Sequence, residues 1–568
     1  MEVRNFDVVV VGSGAAGFLA AIRASDLGAS VAMIEKEALY GGSSAMSGGG
    51  IWIPNNQDIA SAGVTDSAEE AFEYMRHVIP KNQVSDETIQ TYITTAPEMI
   101  DYMGQIGVKY FPVPGYADYY PSAPGWKPGG RTMDCISFNG WLLRDEFDQL
   151  RDSEPQNKVF GLTNMRISEV TVIQAQAKNW QRLASKIMLG YLSDIRGRLK
   201  GRRDRRLTMG GALVGGLRYQ AIKRNIPLHL NTAVRELTQD GNKITGVVAE
   251  VRGGKKITFA ATHAVVLTSG GFEHNEELRQ KHLPSPTRET WSAGSPGNTG
   301  DMIAAGEQVD AAIGLMHEAW WAPTVKWGER TNVLFFEKGK PNLMIVNKDG
   351  QRFMNESITY NSYGDCVYGS KEARNPQFPA YVIFDSTYRK KFPFGELLQS
   401  SITPDWMRPS AFGPRGLLSK ANSLEELADT LGINKSGLRS TADRLKRFSQ
   451  SGVDEDFCRG SDEHDRMYGD PTISPNPCLG PIETPPFYGT QVYPGDIGTK
   501  GGLVIDDNAR VQKKSGGAIE NLYAAGNCTA SIMGDKYPGA GCTLGPALTM
   551  AYRAANDIMA QREARRTS

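Results

Sequence analysis

The sequence predicts an α/β protein built in two parts, a parallel-sheet domain assembled from both ends of the chain and an α+β domain inserted between them. Three observations predict it. A short β-branched run, Phe6 to Val11, leads into a glycine turn and an alanine-rich helix at the N-terminus. The same grammar of buried strand and small-residue turn returns at Val265 to Gly271 and again at Leu522 to Asn527, so both ends of the chain belong to one domain. The length, 568 residues, exceeds what one hydrophobic core usually supports.

The N-terminal unit is the most explicit. The turn reads Gly12-Ser13-Gly14-Ala15-Ala16-Gly17, and Phe18 to Leu27 continues as the helix. Gly12 permits a tight turn, Gly14 lets backbone approach a pyrophosphate, and Gly17 lets the helix pack close to the strand while its first amides face the phosphates. A second strand, Ser30 to Ile34, ends at Glu35, about 20 residues beyond the glycines, where a carboxylate accepts hydrogen bonds from a ribose. Strand, turn, helix, second strand and acid in register define a Rossmann-like dinucleotide site. Its continuation separates FAD from NAD: Glu35-Lys36, then Gly41-Gly42-Ser43-Ser44, then Ser47-Gly48-Gly49-Gly50. A nicotinamide site needs no second cluster of glycines and hydroxyls so soon, whereas small residues here let backbone amides crowd a larger bound ring system.

The rest of the chain completes that domain and interrupts it. Residues 1–312 are read as the FAD-binding domain, 313–490 as an inserted α+β capping domain with a polar helix pair around Leu424 to Ser449, and 491–568 as the return to the first domain. Ala233, Val234, Gly270, Asp301, Gly526, Asn527, Leu544 and Gly545 are assigned to the cofactor pocket beside the N-terminal residues. The helix from Leu544 to Met559 follows glycines and aims its N-terminus at a flavin carbonyl. Within the first domain, 152–206 is an insertion whose second half is strongly basic. Trp180, Leu183, Ile187, Tyr191, Ile195 and Leu199 recur at helical spacing, flanked by Lys178, Arg182, Lys186, Arg196, Arg198, Lys200, Arg202, Arg203, Arg205 and Arg206. The spacing predicts a basic amphipathic helix over 178–206. Such a helix suits an anionic membrane surface, and equally a hairpin packed on the body or a subunit contact.

Composition sets outer limits. The 63 basic residues balance 63 acidic ones, and no aromatic stacking series accompanies the basic segment, so no nucleic-acid partner is expected. The six cysteines never form a C-x-x-C pair, which removes zinc ribbons, thioredoxin motifs and c-type haem attachment. His274 and His282 lie among charged residues after a turn, and His317 has only Glu318 beside it, so no metal is expected. The N-terminus passes from Glu2 and Arg4 straight into Val8 to Val11, without a signal peptide's separate apolar region. A cytoplasmic location follows as the expectation, extended by the basic segment to a peripheral place on the inner face of the cell membrane.

Six ordered motifs carry a family resemblance: Glu35-Lys36, Gly41-Gly42-Ser43-Ser44, Asn298-Thr299-Gly300-Asp301, Arg352-Phe353-Met354-Asn355-Glu356, Gly498-Thr499-Lys500-Gly501-Gly502 and Ala525-Gly526-Asn527. With them the chain resembles the fumarate reductase and 3-ketosteroid dehydrogenase flavoproteins. Asp118-Tyr119-Tyr120, Asn355 to Tyr360 and Tyr537-Pro538-Gly539-Ala540-Gly541 make it most similar to the 3-ketosteroid Δ1-dehydrogenases. Fumarate reductases carry a proton-donating arginine where this sequence has Tyr360, and a histidine where it has Gly498. Both departures remove charge, which suits an apolar ketone better than a dianion.

The resemblance implies that Tyr537 and the Gly541 amide hold the C3 oxygen, that Tyr360 takes the C2 proton with Tyr119 bonded to it, and that hydride leaves C1 for the flavin. Tyr363, three residues after Tyr360, is the rival base. The resemblance also implies an external, quinone-like electron acceptor. Two other readings stay open: a Δ4-(5α)-type ketosteroid dehydrogenase with a similar clamp, and a flavin-containing steroid-binding or membrane-anchoring module without turnover. Replacing Gly14 by leucine is expected to block backbone approach to the pyrophosphate. Gly14→Leu protein should purify colourless, and the flavin released from the parent protein should run as FAD rather than FMN.

Overall fold

In the computed structural model, which describes residues 2–174, 179–369, 376–413 and 416–567, the first strand, Glu2–Val11, is wholly buried from Val8 onward. It is buried because it takes the centre of a sheet. Val31–Ile34 pairs parallel to it on one side and Lys256–Leu267 on the other. Leu228–His229 extends the sheet beyond Val31–Ile34, and Ala518–Ala524 pairs parallel with Val265–Leu267. A parallel strand covered on both faces reads as a continuous apolar run, which is what Val8 to Val11 and Ala264 to Leu267 are. Lys243–Val251 pairs antiparallel with Lys256–Leu267 and Thr232–Asp240 pairs antiparallel with Lys243–Val251, while Arg510–Gln512 closes the far edge of this eight-stranded sheet.

Ala15–Asp26 and Leu544–Thr567 are the helices packed together against the sheet. Phe18, Leu19 and Ile22 of the first share a core with Leu548, Ala551 and Ala555 of the second. The C-terminal helix thus runs beyond the expected Met559, and it starts at the expected Leu544.

A second, six-stranded sheet is antiparallel throughout. Its order is Arg330–Val333, Ala319–Trp327, Phe487–Thr499, Ala380–Phe384 and Leu343–Asn347, with Ser419–Ala421 also on Phe487–Thr499. Helices Leu424–Leu431 and Lys435–Ser451 bury Leu427, Leu438 and Leu445 against it, in the region where the sequence places a helix pair. The strand Phe487–Thr499 passes straight through residue 490 and ends with the Thr499 hydroxyl accepting from Phe272 N at 2.9 Å. One continuous strand therefore ties the second sheet to the first.

The turn leading to Tyr360 is anchored by a dry ion cluster. Arg352 donates to Glu356 at 2.8 and 2.7 Å and to Asp454 at 3.1 and 2.8 Å, while Arg459 Nη1 donates to Glu356 Oε2 at 3.1 Å. Lys338 Nζ donates to the carbonyls of Glu356 and Ile358, so the backbone is held to within two residues of Tyr360.

The basic insertion departs from its expected form. The helix is broken at Asp194 into Trp180–Ser193 and Ile195–Lys200, because the Asp194 carboxylate caps the second piece by accepting from Gly197 N at 3.0 Å. The break splits the apolar stripe. Leu183 and Ile187 pack with Met165, Val170 and Met209, whereas Ile195 and Leu199 are 69% and 84% exposed, beside exposed Leu189 and Leu192. The arginines divide as well. Arg198 lies over the Tyr191 ring and Arg205 over the Phe147 ring, each at 3.6 Å, Arg203 donates to the carbonyls of Phe147 and Leu150, and Arg206 pairs with Glu169 at 2.6 Å. Arg182, Lys186, Arg196, Lys200 and Arg202 remain exposed, and Lys178 lies outside the described residues. Among the described residues no helix is long and apolar enough to cross a membrane.

Burial alone would raise the Glu356 carboxyl, but Arg352 and Arg459 outweigh it and hold it below its ordinary 4.5. Its contribution to stability is therefore full above pH 4.5 and is lost as pH falls through the lower folded value. Glu356→Gln leaves buried guanidinium groups short of a counter-charge and is expected to cost about 3 to 5 kcal/mol. Thermal melts at neutral pH should show an earlier transition for the variant, with the difference narrowing in acid.

Candidate active site

The cradle forms where strands end. Thr268 N donates to Val11 O at 2.8 Å, and a Cβ at Gly12, whose φ is +104°, would overlap the Thr268 carbonyl. Gly14 begins the first helix in extended conformation with no side-chain cap, and a Cβ there would meet only Ser44 Oγ, at 3.3 Å. The glycine turn and the start of this helix border the cavity, and a helix N-terminus is where an anion binds. Ser13 N and Oγ donate to Glu35 Oε2 at 3.0 and 2.6 Å, and Glu37 N donates to Oε1 at 3.0 Å. A carboxylate has about four lone-pair sites, so Glu35 is oriented by the chain and keeps capacity for a further donor. Lys36 Nζ bonds Asp301 and Thr299, each at 2.7 Å. Ser43 Oγ accepts from Ser295 N at 2.8 Å and Asn298 Nδ2 at 3.0 Å, and Ser44 Oγ accepts from Ala15 N at 3.1 Å.

These residues wall a single cavity of about 300 Å³. Of the sequence-assigned cofactor residues, Gly12, Ser13, Gly14, Ala15, Ala16, Glu35, Lys36, Gly42, Ser43, Ser44, Gly48, Gly49 and Gly50 line it, with Val234, Gly270, Asp301, Gly526, Asn527 and Leu544. Gly17, Ala233 and Gly545 do not. Gly17 lies against Gly12 O, where a Cβ would overlap it, and a Cβ at Gly545 would meet Tyr92 Oη at 2.7 Å. Ala233 sits on a strand whose neighbours Thr232 and Val234 face the cavity, so alternation turns it away.

The cavity continues from the glycine cradle to Tyr360, Tyr537 and Gly541. The Tyr360 and Tyr537 ring centroids are 5.5 Å apart, and the Tyr119 ring lies 5.8 Å from Tyr360 and 5.5 Å from Tyr537. Tyr119 stands behind the wall rather than on it. Phe335 and Trp320 pack edge-on against Tyr360 and Tyr537 at 5.0 and 5.1 Å. Tyr363 lies elsewhere, wholly buried in the core of the second domain beside Leu343 and Val382.

The charged side chains on the cavity wall are the carboxylates of Glu35, Glu37, Glu154 and Asp301 and the ammonium of Lys36. Among the described residues Lys36 is the one basic side chain on the wall, and it is paired with Asp301. Burial pushes the Tyr360 hydroxyl well above its ordinary value of 10; Tyr537 adds to the rise and the Tyr119 hydroxyl opposes it. Burial likewise raises Tyr537 to about 12, against hydrogen bonding from Thr543 and Tyr360. At Gly498 a Cβ would overlap Asn527 Nδ2, so the place of the fumarate reductases' histidine is already filled.

Several wall residues carry no signal in the sequence. Ile167 and Val170 come from the insertion, Met209 from the helix after it, and Phe335 and Phe336 from the second domain. Tyr116, three residues before Tyr119, also lines the cavity, while His464 packs on the Tyr119 ring at 5.1 Å. Asp462 and Asp465 approach His464 within 4.8 Å, but Asp462 caps the helix that carries both, and Asp465 Oδ2 accepts from Asn355 Nδ2 and Gly460 N.

A family model described as an FAD binding domain matches residues 7–544. A 3-oxosteroid 1-dehydrogenase of Mycobacterium tuberculosis is 39% identical over 570 residues, covering 99% of this chain and 99% of that one. The chain belongs to the 3-oxosteroid 1-dehydrogenase family. A crystal structure of 3-ketosteroid Δ1-dehydrogenase from Sterolibacterium denitrificans, in complex with 1,4-androstadiene-3,17-dione, superposes with a TM-score of 0.94 at 40% identity, covering 98% of this chain and 100% of that one. A 3-ketosteroid Δ4-(5α)-dehydrogenase from Rhodococcus jostii RHA1 shares the fold alone, with a TM-score of 0.64 at 20% identity over 98% of this chain and 97% of that one.

The cofactor of this member of the 3-oxosteroid 1-dehydrogenase family is FAD, and the cradle suits it. The glycine turn before the first helix, an oriented acid at Glu35 and the first turn of the C-terminal helix at Leu544 and Ala547 line one cavity, and would hold the pyrophosphate, the adenosine ribose and the flavin ring respectively.

Proposed function

We propose that the protein dehydrogenates 3-ketosteroids between C1 and C2, with Tyr360 as base and with Tyr537 and the Gly541 amide as donors to the C3 oxygen. One observation carries this reading: Tyr360, Tyr537 and Gly541 line the same cavity as the FAD cradle. FAD in that cradle supplies the acceptor for the hydride that leaves C1. The Tyr537 hydroxyl and the Gly541 N–H donate to the ketone oxygen as it gains enolate charge, in a site where burial makes such donors effective. Tyr360 Oη takes the C2 proton. Because burial holds the Tyr360 phenol neutral well above pH 10, Tyr119 is the neighbour that makes ionisation easier. Ile167, Val170, Met209 and Phe336 offer apolar surface to the steroid rings beyond the clamp. Each turnover leaves two electrons on the protein, and a quinone-like external acceptor removes them.

The exposed ridge of Leu189, Leu192, Ile195 and Leu199 beside Lys186, Arg196 and Lys200 supports peripheral attachment to an anionic membrane. The same insertion supplies Ile167 and Val170 to the cavity wall, so attachment places the wall near the phase in which a sterol dissolves. Reversing the charges of Lys186, Arg196 and Lys200 is expected to release the protein from anionic vesicles, and added salt should release the parent protein more slowly if the ridge inserts. Equal vesicle binding by parent and variant would end this part of the reading.

Anaerobic mixing with a 3-ketosteroid tests the reaction itself. Flavin absorbance should bleach, and the product should carry a new C1–C2 double bond. A new C4–C5 bond instead would move the activity to the Δ4-(5α) class, and a spectral shift without bleaching would leave only a binding module. Tyr360→Phe is expected to slow bleaching about 10²- to 10⁴-fold while keeping FAD and steroid affinity, whereas Tyr363→Phe should bleach at the parent rate. The parent rate should rise with pH throughout the alkaline range, since the folded pKa of Tyr360 lies well above 10.

A further inference from the structure

Behind the loop that carries Tyr537 and Gly541 lies an ion cluster to which the chemistry above assigns no part. Arg131 donates through Nε and Nη2 to Asp66 at 2.8 and 2.6 Å and through Nη1 to Asp118 Oδ2 at 2.8 Å. The Arg131 and Asp66 side chains are 0% exposed and that of Asp118 is 2% exposed. Asp118 Oδ2 also accepts from Lys127 N at 3.2 Å, and Oδ1 accepts from the Trp52 indole Nε1 at 2.8 Å. The guanidinium lies over the Trp52 ring at 5.7 Å and the Tyr74 ring at 5.3 Å.

Trp52 and Tyr74 touch the clamp loop, and Asp118 and Arg131 each stand next in the chain to a residue that does. The Trp52 indole edge lies flat against Gly539, where a Cβ would overlap Cδ1 and Nε1, and Trp52 N would be 2.6 Å from a Cβ on Gly541. The Pro538 carbonyl accepts from Tyr74 Oη at 2.6 Å and from Tyr119 N, next to Asp118, at 2.9 Å. Thr132 Oγ1, one residue from Arg131, donates to Ala540 O at 3.1 Å. The cluster thus grips residues 538, 539, 540 and 541 from one side and the backbone of Tyr119 from the other.

Stability does not account for it. Two carboxylates share one guanidinium, out of water, and buried ion clusters of this kind are often no more stable than apolar packing of the same volume. Burial raises the Asp118 carboxyl to about 6 even beside Arg131, so the fold favours the protonated acid and its contribution to stability declines as pH rises from its ordinary 3.8 toward 6. What a planar fork and an indole N–H supply is direction.

We propose that Asp118 and Arg131 are positioning residues for the dehydrogenation: acting through Trp52 and Tyr74, they set the Tyr537–Gly541 loop against Tyr119 and Tyr360 and so aim the two donors at the ketone oxygen. The inference rests on the clamp reading of Tyr537 and Gly541. Trp52→Phe keeps an aromatic ring on Gly539 and removes the N–H to Asp118. Asp118→Asn keeps an acceptor for Trp52 and removes one of the two carboxylate charges that Arg131 faces, and Asp118→Ala removes both that charge and the acceptor.

The experiment compares anaerobic flavin bleaching by a 3-ketosteroid, steroid affinity from spectral titration, and FAD content in the parent, these three variants and Tyr537→Phe. Misplacement of reacting groups by about 1 Å costs about 10²-fold, so Trp52→Phe and Asp118→Asn should bleach about 10- to 100-fold more slowly with affinity and FAD content changed less than about 3-fold. Asp118→Ala should be slower than Asp118→Asn. If Asp118→Ala does not fold, the other two decide. Parent-like bleaching in Trp52→Phe and Asp118→Asn while Tyr537→Phe is slow overturns this proposal alone; parent-like bleaching in Tyr537→Phe overturns the clamp beneath it. A rate loss that tracks loss of FAD or of steroid affinity reduces the cluster to a structural role and overturns the proposal as well.

Discussion

Three strand ends meet at one level, and the space between them has room for backbone only. Thr268 N donates to Val11 O at 2.8 Å and Ala525 N to Leu267 O at 3.0 Å, so the segments beginning at Gly12, Thr268 and Ala525 leave the sheet side by side. Parallel strands put all their C-terminal ends on one edge, which is where open α/β sheets bind ligands. The first fifty residues, a central strand and the C-terminal segment therefore share one cavity although they are far apart in the chain. The six-stranded sheet reaches the eight-stranded one through the strand Phe487–Thr499, whose Thr499 hydroxyl accepts from Phe272 N.

Desolvation is the second constraint, and it shapes the chemistry. Tyr360 and Tyr537 pack among aromatic rings, and among the described residues the one basic side chain on the wall, Lys36, is paired with Asp301. Two carboxylates would find no counter-charge there, whereas a ketone among aliphatic rings needs only donors at its oxygen. The same dryness raises the phenols of Tyr119, Tyr360 and Tyr537.

The insertion joins two roles in one element. Its inner side supplies Ile167 and Val170 to the cavity, and its outer side carries exposed leucine and isoleucine among lysines and arginines. Asp194 ends one helix and starts the next, so Ile195 and Leu199 leave the stripe in which Leu183 and Ile187 are packed.

How far the molecule was legible in its sequence follows from the range of the forces involved. Turn chemistry, strand runs and helix starts are local, so the cradle from Gly12 to Gly50, the returning strands at Val265 and Leu522 and the helix at Leu544 could be read from neighbouring residues. Motif position placed Tyr360, Tyr537 and Gly541, which the fold brings onto one cavity wall. Contacts across the fold left no such trace. Nothing near Ile167 or Phe336 in sequence marks them as cavity wall, and alternation along one strand turned Ala233 outward while Val234 faced in. Nor did the helical spacing from Trp180 to Leu199 reveal that Asp194 would spend its side chain on a cap, or that Arg203 and Arg205 would turn inward onto carbonyls and Phe147. Local sequence determined the cofactor cradle because its geometry is backbone geometry. Which tyrosines stand together, what lies behind them and how dry they are was decided by tertiary packing, because burial and aromatic contact are set by residues hundreds of positions away.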